Sequence, residues 1–348
     1  MCLFTKKIFG LDISDYSIEA LEIKKSFSHY QIKAYARIKL EAGIVENGVI
    51  LQREKLMKKI QELLDSAKPR KISAKNVALC LPESCIYSSV IALPRETKNK
   101  ELASLINNRM PEVLPVDMGK VTSSWQKLSS NDKEQEILVA AVDNDLLKSY
   151  VLVAEKLGLK IISLEMESLA TARAVLKEIK NNEGVLLLDI GARTTNITIF
   201  DTAGLCSTYS VKIAGQHFTE AISREKKISI VEAEKLKIKQ ENVLNLPELK
   251  PLLDELISEI KKSINYFATK TGKSIAQGYI LGGSALLSNM SAYLNSALEV
   301  KLQLGDPFAK IANHDIIISE KERILFATVV GLAKKAVDKD KQIINFIK

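Results

Sequence analysis

Residues 184–200 read Gly-Val-Leu-Leu-Leu-Asp-Ile-Gly-Ala-Arg-Thr-Thr-Asn-Ile-Thr-Ile-Phe. An apolar run closes on a carboxylate, a short polar turn follows, and alternating apolar residues lead back: a strand, a turn and a returning strand. The opening of the chain has the same form. Ile8-Phe9-Gly10-Leu11 and Ile18–Ile23 are two apolar-alternating bursts separated by Asp12–Ser17. Aligning Asp12 with Asp189, an offset of 177, lays Ile13 on Ile190, Ser14 on Gly191, Ser17 on Thr194 and Ile18–Ile23 on Thr195–Phe200. Two such units half a chain apart suggest an internally duplicated domain. Asp and Gly are common turn residues, so a chance pairing of two hairpins competes equally until other signals are added.

The 348 residues are 46% hydrophobic and 26% charged, which suits a globular chain of two domains and excludes disordered, collagen-like and disulfide-stapled classes. A net charge of +8 comes mostly from Lys mixed with Glu, as in Glu232–Lys239, a solvated-surface pattern lacking the Arg and interleaved aromatics of nucleic-acid readers. Cys2, Cys80, Cys85 and Cys206 are too scattered for a disulfide framework or zinc spacing. No apolar run reaches the ~18 residues of a membrane span, and Lys6-Lys7 interrupts the N-terminus too early for a secretory signal. The expectation is a cytoplasmic protein with no transmembrane segment.

Gln31–Leu40 continues the first sheet, Gln52–Ser66 has Leu56, Ile60, Leu63 and Leu64 on one helical face, and Asn76–Leu81 is too apolar to face water, so it reads as an interior strand. From Ile86 to Asp143 the order changes. A strand ends at Pro94, a helix spans 98–109 and breaks at Pro111 and Pro115, and strands at 121–128 and 136–142 are joined by the loop Ser129–Lys133: a compact α+β insertion. Leu146–Leu157 is a helix stopped by Gly158, Ile161–Leu164 a strand, Ser168–Lys180 a helix, and Asn181–Gly184 the seam between halves.

A polyphosphate needs amides, hydroxyls and a carboxylate-held cation beside a chain that can approach closely. The turn Asp189–Asn196 supplies these parts, and Asp12, Ser14 and Ser17 supply a similar set. Gly278–Leu281 reads as a strand ending in Gly282-Gly283-Ser284 before a helix at Leu286–Ala297, where a base or ribose could pack on backbone. Taken alone, that Gly-Gly is more simply a close-packed turn. His29, His217 and His314 stand far apart with no Ser or Cys in a nucleophile setting, which argues against a hydrolase triad.

The two Asp-Ile hairpins, Ala233-Glu234-Lys235-Leu236-Lys237 and Leu281-Gly282-Gly283-Ser284 together resemble the phosphate-1, phosphate-2, connecting and adenosine motifs of the actin-like ATPase superfamily, which includes Hsp70 chaperones, sugar kinases and FtsA. Within it, the chain most resembles the PilM family of type IV pilus assembly. That likeness runs over nearly the full length and adds Gly10–Ile13, Ile91–Pro94, Met110–Pro115, Gly215–Ile222, Asp306-Pro307-Phe308 and Gly331-Leu332-Ala333.

The resemblance implies an α/β, actin-like (duplicated ribonuclease H-like) two-lobe ATPase fold with a small α+β subdomain inserted in the first lobe. The implied boundaries are a first lobe over 1–85 and 144–183, the insertion over 86–143, a second lobe over 184–335 with a subdomain at 222–275, and a tail over 336–348. It further implies ATP with Mg²⁺ organised by Asp12 and Asp189, phosphates contacted by Ser14, Ser17, Gly191, Thr194 and Thr195, Glu234 and Lys237 near ribose and base, and Gly282, Gly283 and Ser284 beneath the adenosine. Without the family context, Glu234 and Lys237 read as an i,i+3 pair on a solvated helix.

The implied role is a nucleotide-binding scaffold, at most a slow ATPase, at the inner face of the cytoplasmic membrane in type IV pilus assembly or the related type II secretion platform. Its implied partner is the N-terminal cytoplasmic peptide of a PilN-like membrane protein, held in a groove walled by the insertion and the first-lobe strands flanking it, with pilus motor ATPases and self-association as further contacts. An FtsA-like division protein is the nearest alternative, and a small-molecule kinase a remoter one with no acceptor-site cluster to support it.

Two departures matter. Ser14 stands where the family usually has Gly, and Glu19 where it has Lys, so the first hairpin is expected to be locally acidic and ATP binding weaker or strictly Mg²⁺-dependent. The tail segment Ile343-Ile344-Asn345-Phe346-Ile347 resembles the Asn-Leu-Leu-Pro type of segment that begins the partner, without its Pro. A membrane-touching end and a turn packed on the first lobe are the other two readings.

Overall fold

The computed structural model describes residues 7–26, 29–130, 132–177, 179–180, 183–309, 311–312, 318–338 and 344–347. Cys2, His314, Asn131 of the insertion loop, the seam residues Asn181 and Asn182, and tail residues 339–343 and 348 lie outside them. The chain divides into two compact units. One holds Met1–Ala174, Pro307–Ile318 and Phe326–Lys348, and the other Val175–Asp306 and Ser319–Leu325.

The first unit begins with β1 (Ile8–Ile13), β2 (Ser17–Ser26) and β3 (His29–Lys39), followed by the short pair β4 (Val45–Glu46) and β5 (Val49–Ile50), helix α1 (Arg53–Ser66) and β6 (Asn76–Leu81). The insertion supplies β7 (Ile86–Pro94), α2 (Asn99–Val113), β8 (Val121–Ser130) and β9 (Glu134–Asp143). Helix α3 (Asn144–Lys156), β10 (Lys160–Met166) and α4 (Glu167–Val175) follow. The main sheet runs β10-β6-β1-β2-β3, with β1 antiparallel to β2 and parallel to β6. Strand β6 sits between β10 and β1 with five of its six residues buried, so no side of it needs polar residues.

Helix α1 buries Leu56, Ile60, Leu63 and Leu64, the stripe read from their spacing. Helix α3 starts on an N-cap, where the Asp143 carboxylate accepts from the amides of Asp145 at 2.8 Å and Leu146 at 3.1 Å. The insertion's sheet, β7-β9-β8, covers α2 with its own core of Ile91, Leu93, Ile106, Met110, Ile137 and Val139. Helix α2 continues through Pro111 to Val113 instead of breaking there. Met110 and Leu114 are both buried, and the Leu114 amide closes the end on the Met110 carbonyl at 2.9 Å, so burial outweighs the one bond that proline removes.

The second unit contains β11 (Glu183–Ile190), β12 (Thr195–Asp201), β13 (Gly204–Val211), α5 (Gly215–Lys226), α6 (Ile230–Lys239), α7 (Lys250–Thr271), β14 (Ser274–Leu281), α8 (Met290–Leu298) and β15 (Lys301–Leu304). Its sheet runs β15-β14-β11-β12-β13. Strand for strand this is the order of the first unit, with β11 antiparallel to β12 and parallel to β14. The register repeats too. Asp12 pairs with Glu19 and Ile13 with Ile18, while Asp189 pairs with Asn196 and Ile190 with Thr195, each at the offset of 177 read from the sequence. The duplication is therefore real, and chance pairing is set aside.

Two helices end differently from their sequence readings. Helix α4 stops at Val175, not Lys180, and Gly283–Leu286 forms a single 3₁₀ turn before α8, where one continuous helix over Leu286–Ala297 was expected. The chain returns to the first unit as β16 (Ile311–Ala312) beside β3, passes through the short α9 (Glu320–Arg323) in the second unit, and forms α10 (Ala327–Asp338), the last regular element among the described residues.

Helix α10 packs in the first unit against α4 and β6, where Leu332 and Ala336 join Ala78, Cys80 and Ala170. Gly331 makes that approach possible, because a Cβ there would overlap the Ala170 carbonyl. Gly331→Ala is expected to cost about 3 kcal/mol, since the obstruction is backbone and cannot swing aside, read as a lowered midpoint in thermal or urea unfolding.

Candidate nucleotide-binding turns

In the second unit, the pairing of β11 with β12 leaves Gly191–Thr194 as the turn, closed by the Gly191 amide donating to the Thr194 carbonyl at 3.0 Å. The Gly191 carbonyl accepts from the Gly215 amide at 3.1 Å and the Ser284 hydroxyl at 3.2 Å, and the Ala192 carbonyl accepts from the Gln216 amide at 2.7 Å. Turn, helix start and Gly-Gly-Ser junction thus form one bonded cluster. Gly282 has φ +81°, and a Cβ there would overlap the Ile190 carbonyl and lie 2.5 Å from Asp189 Oδ1, so no other residue fits. That close approach also strips water from Asp189, and burial pushes its carboxyl up to about 6.

Glu234 and Lys237 join the cluster through α5. Lys237 Nζ donates to the Gly215 carbonyl at 2.8 Å and Thr219 Oγ1 at 2.8 Å, and pairs with Glu234 at 2.7 Å. Thr219 Oγ1 also bonds the Glu234 carboxylate. Burial holds Lys237 below the ordinary lysine range, partly offset by Glu234. The solvated-helix reading of this pair is corrected: the spacing is i,i+3, but Lys237 is buried because α6 lays it on the first turn of α5.

The first unit repeats the turn with different side chains. The Ser14 amide donates to the Ser17 carbonyl at 3.0 Å, matching Gly191 to Thr194. The Ser14 hydroxyl bonds that same carbonyl at 2.9 Å and accepts from the Ser17 amide at 3.1 Å, so it braces the turn. Ser17 Oγ accepts from Arg37 at 3.2 Å, and Arg37 Nε pairs with Glu19 at 2.7 Å. Arg37 on β3 thus offsets the charge of Glu19, while the Asp15 carboxylate accepts from the amides of Asn47 and Gly48 and Asp12 lies at the end of β1. Burial still raises the Glu19 carboxyl, against the pull of Arg37. Asp12 is partly buried at the end of β1 and accepts from the Cys80 thiol at 3.4 Å. Burial, then Asp12, push that thiol well above its usual range, so it stays protonated.

Of the residues named from sequence, Asp189, Gly191, Gly282, Ser284, Glu234 and Lys237 are brought into one cluster; Thr194 remains partly exposed on the turn and Gly283 exposed beside it. The Thr195 hydroxyl is buried and donates to the Ile213 carbonyl at 2.6 Å. Gly215 and Thr219, within the run Gly215–Ile222 that carries the family resemblance, and Arg37 and Cys80 are not among the site residues named from sequence. Gly215 and Thr219 lie in a stretch whose position at a helix start could have marked them, whereas nothing in the chain order places Arg37 or Cys80 at the first turn. His29 is exposed at the start of β3, and His217 lies in the first turn of α5.

The duplicated sheets with matched turns define the actin-like ATPase fold. The chain belongs to the family described as Type IV pilus assembly protein PilM, whose model matches residues 10–336. The structure of a PilM-PilN type IV pilus biogenesis complex superposes with a TM-score of 0.83 at 22% identity, over 95% of this chain and 98% of that one. MreB5 of Spiroplasma citri bound to AMPPNP gives 0.53 at 15% identity, over 96% and 98%. The cell division protein FtsA of Bacillus subtilis is 27% identical over 150 residues, 43% of this chain and 32% of that protein; FtsA of Pseudomonas aeruginosa is 24% identical over 266 residues, 67% and 61%. The chain thus spans about a third to three fifths of these curated relatives.

Asp189 carries a stability cost. Its folded-state carboxyl lies near 6, above the ordinary 3.8, so the folded state holds an extra proton between those values and loses that advantage as pH rises through 6. Asp189→Asn is expected to stabilise the nucleotide-free protein by about 1–3 kcal/mol at pH 7.5 and by almost nothing near pH 4, measured as the shift in unfolding midpoint against pH.

Proposed function

We propose that this chain is an ATP-binding scaffold of a type IV pilus or related secretion assembly platform, acting at the inner face of the cytoplasmic membrane by holding the N-terminal cytoplasmic peptide of a PilN-like protein. The observation that carries the nucleotide half is the cluster in which Gly191, Gly215 and Ser284 are hydrogen-bonded and Gly282 is pressed against Asp189. A carboxylate raised to about 6 by burial, with a glycine backbone pressed on it, is an arrangement that a bound cation would relieve.

Among the described residues no three His, Cys, Asp or Glu side chains converge on a metal site. Mg²⁺ would therefore rest on Asp189, or on Asp12 in the matching turn, completed by phosphate oxygens and water, as that ion prefers. Backbone at Gly191, Thr194 and Gly283 would meet phosphates and adenosine. Lys237 and Glu234 would set the position of α5, and the Ser14, Ser17 and Thr195 hydroxyls would keep the turns in shape.

Titration calorimetry with ATP tests this reading. Binding is expected with Mg²⁺ and at least tenfold weaker without it, and Gly282→Val is expected to abolish it while leaving the first unit folded. Tight metal-free binding overturns the metal dependence, and unchanged binding by Gly282→Val overturns the site.

The peptide half rests on the family and on the first unit's architecture. The insertion sheet ends at the edge strand β8 and the main sheet at β10, two edges able to receive an extended peptide. Among the described residues no helix is long and apolar enough to cross a membrane, so attachment through a partner suits the chain. Fluorescence polarisation with a labelled N-terminal peptide of the neighbouring PilN-like protein is expected to show saturable binding, reduced by Ser124→Lys on β8. A flat titration against every form of the protein counts decisively against a PilN-like partner.

A further inference from the structure

The two edges that would receive a peptide already have an occupant. Residues Ile344–Phe346 of the chain's own tail lie against both, all within the first unit. On the β10 side, the Leu164 amide donates to Asn345 Oδ1 at 2.9 Å and the Leu164 carbonyl accepts from the Phe346 amide at 2.9 Å. Both backbone groups of one edge residue are thus engaged, one by a side-chain amide and one by backbone. On the β8 side, the Asn345 amide donates to Ser124 Oγ at 3.0 Å and the Ile344 amide to Gln126 Oε1 at 3.3 Å. Ser124 and Gln126 are two apart on a strand and so share a face. Lys335 Nζ, which also bonds the buried Glu165, donates to the Ile344 carbonyl at 3.3 Å.

The apolar side chains complete the pattern. Ile344 is 0% exposed and Phe346 3%, at i and i+2 around an Asn that reaches the sheet edge. An apolar–Asn–apolar segment seated between two sheet edges is how an extended peptide ligand is read: backbone groups supply affinity, alternate side chains fill pockets, and one amide sets register. The tail meets β8 through side chains and β10 through a single residue, a short contact for a permanent strand.

We propose that Ile344–Ile347 is an intramolecular ligand that occupies the groove between β10 and β8 and excludes an external extended peptide of the same apolar–Asn–apolar pattern until it is displaced. This rests on the peptide-binding reading above and assigns that site a regulator within the same chain. A short tethered segment acts at an effective concentration of about 1 mM. With an intrinsic affinity of order 100 μM, it would weaken a competitor about tenfold.

The test compares the full chain, a chain lacking residues 344–348, and full-length Asn345→Ala, each checked for folding by circular dichroism. Two labelled probes are titrated: the chain's own Gln-Ile-Ile-Asn-Phe-Ile-Lys peptide (residues 342–348) and the PilN-like N-terminal peptide. Both the own-tail probe and the PilN-like peptide are expected to bind the shortened chain about tenfold tighter than the full one, with Asn345→Ala between. Equal affinity of the PilN-like peptide for all three proteins overturns the inference and leaves the peptide-binding reading standing. Binding of the own-tail probe to the shortened chain, with no binding of the PilN-like peptide to any form, supports the groove and its occupant and removes the PilN-like partner. If the own-tail probe fails on a folded shortened chain, the inference is overturned. Should the shortened chain not fold, Asn345→Ala carries the comparison, and no gain in peptide affinity overturns the proposal.

Discussion

A single backbone hydrogen bond, from the first residue of a four-residue turn to the carbonyl of the fourth, sets the geometry on which the rest depends. It closes Gly191 on Thr194 and Ser14 on Ser17, and each closure fixes the antiparallel register of the strands around it. That register leaves a carboxylate at the end of each first strand, and the parallel neighbour of that strand ends beside it. Because both sheets have the same strand order, each unit offers the same kind of strand-end platform, where ligand sites gather in α/β sheets.

The two platforms have diverged in how they use their polar groups. In the second unit, a glycine in the turn keeps the backbone accessible, and the cost appears as a desolvated Asp189 and a buried Lys237. In the first, Ser14 folds its hydroxyl back onto the turn, and Arg37 takes up Glu19 and Ser17, so the turn is braced and Glu19 is paired. The second turn carries the larger desolvation cost of the two and, by the usual trade between stability and function, is the better candidate for direct ligand contact.

Away from the turns, the first unit manages its sheet edges with side chains as much as with backbone. Glu165 is fully buried on β10, where Arg173 grips both its oxygens at 2.8 Å and Lys335 adds a third contact at 3.1 Å. Such a triad is costly to assemble and costly to break, and it locks α4 and α10 to the edge strand. The lysine of that triad also donates to the Ile344 carbonyl, so the base that secures α10 holds the tail segment as well.

Much of this was legible in residue order. The 177-residue offset, the interior position of β6, the buried stripe of α1 and the glycine stops are local or periodic signals, and local sterics and burial enforce them wherever they occur. The Asp189 turn and the Gly282 junction were legible for the same reason, since backbone approach demands glycine and a strand end demands little else. Tertiary structure alone decided what distant parts do to one another: that Lys237 is buried under α5, that Arg37 neutralises Glu19, that Cys80 sits on Asp12, that α2 survives Pro111, and that the tail seats between two sheet edges. Each of those depends on burial and on partners far away in the chain, and neither propensity nor spacing encodes the desolvation that makes such partners matter.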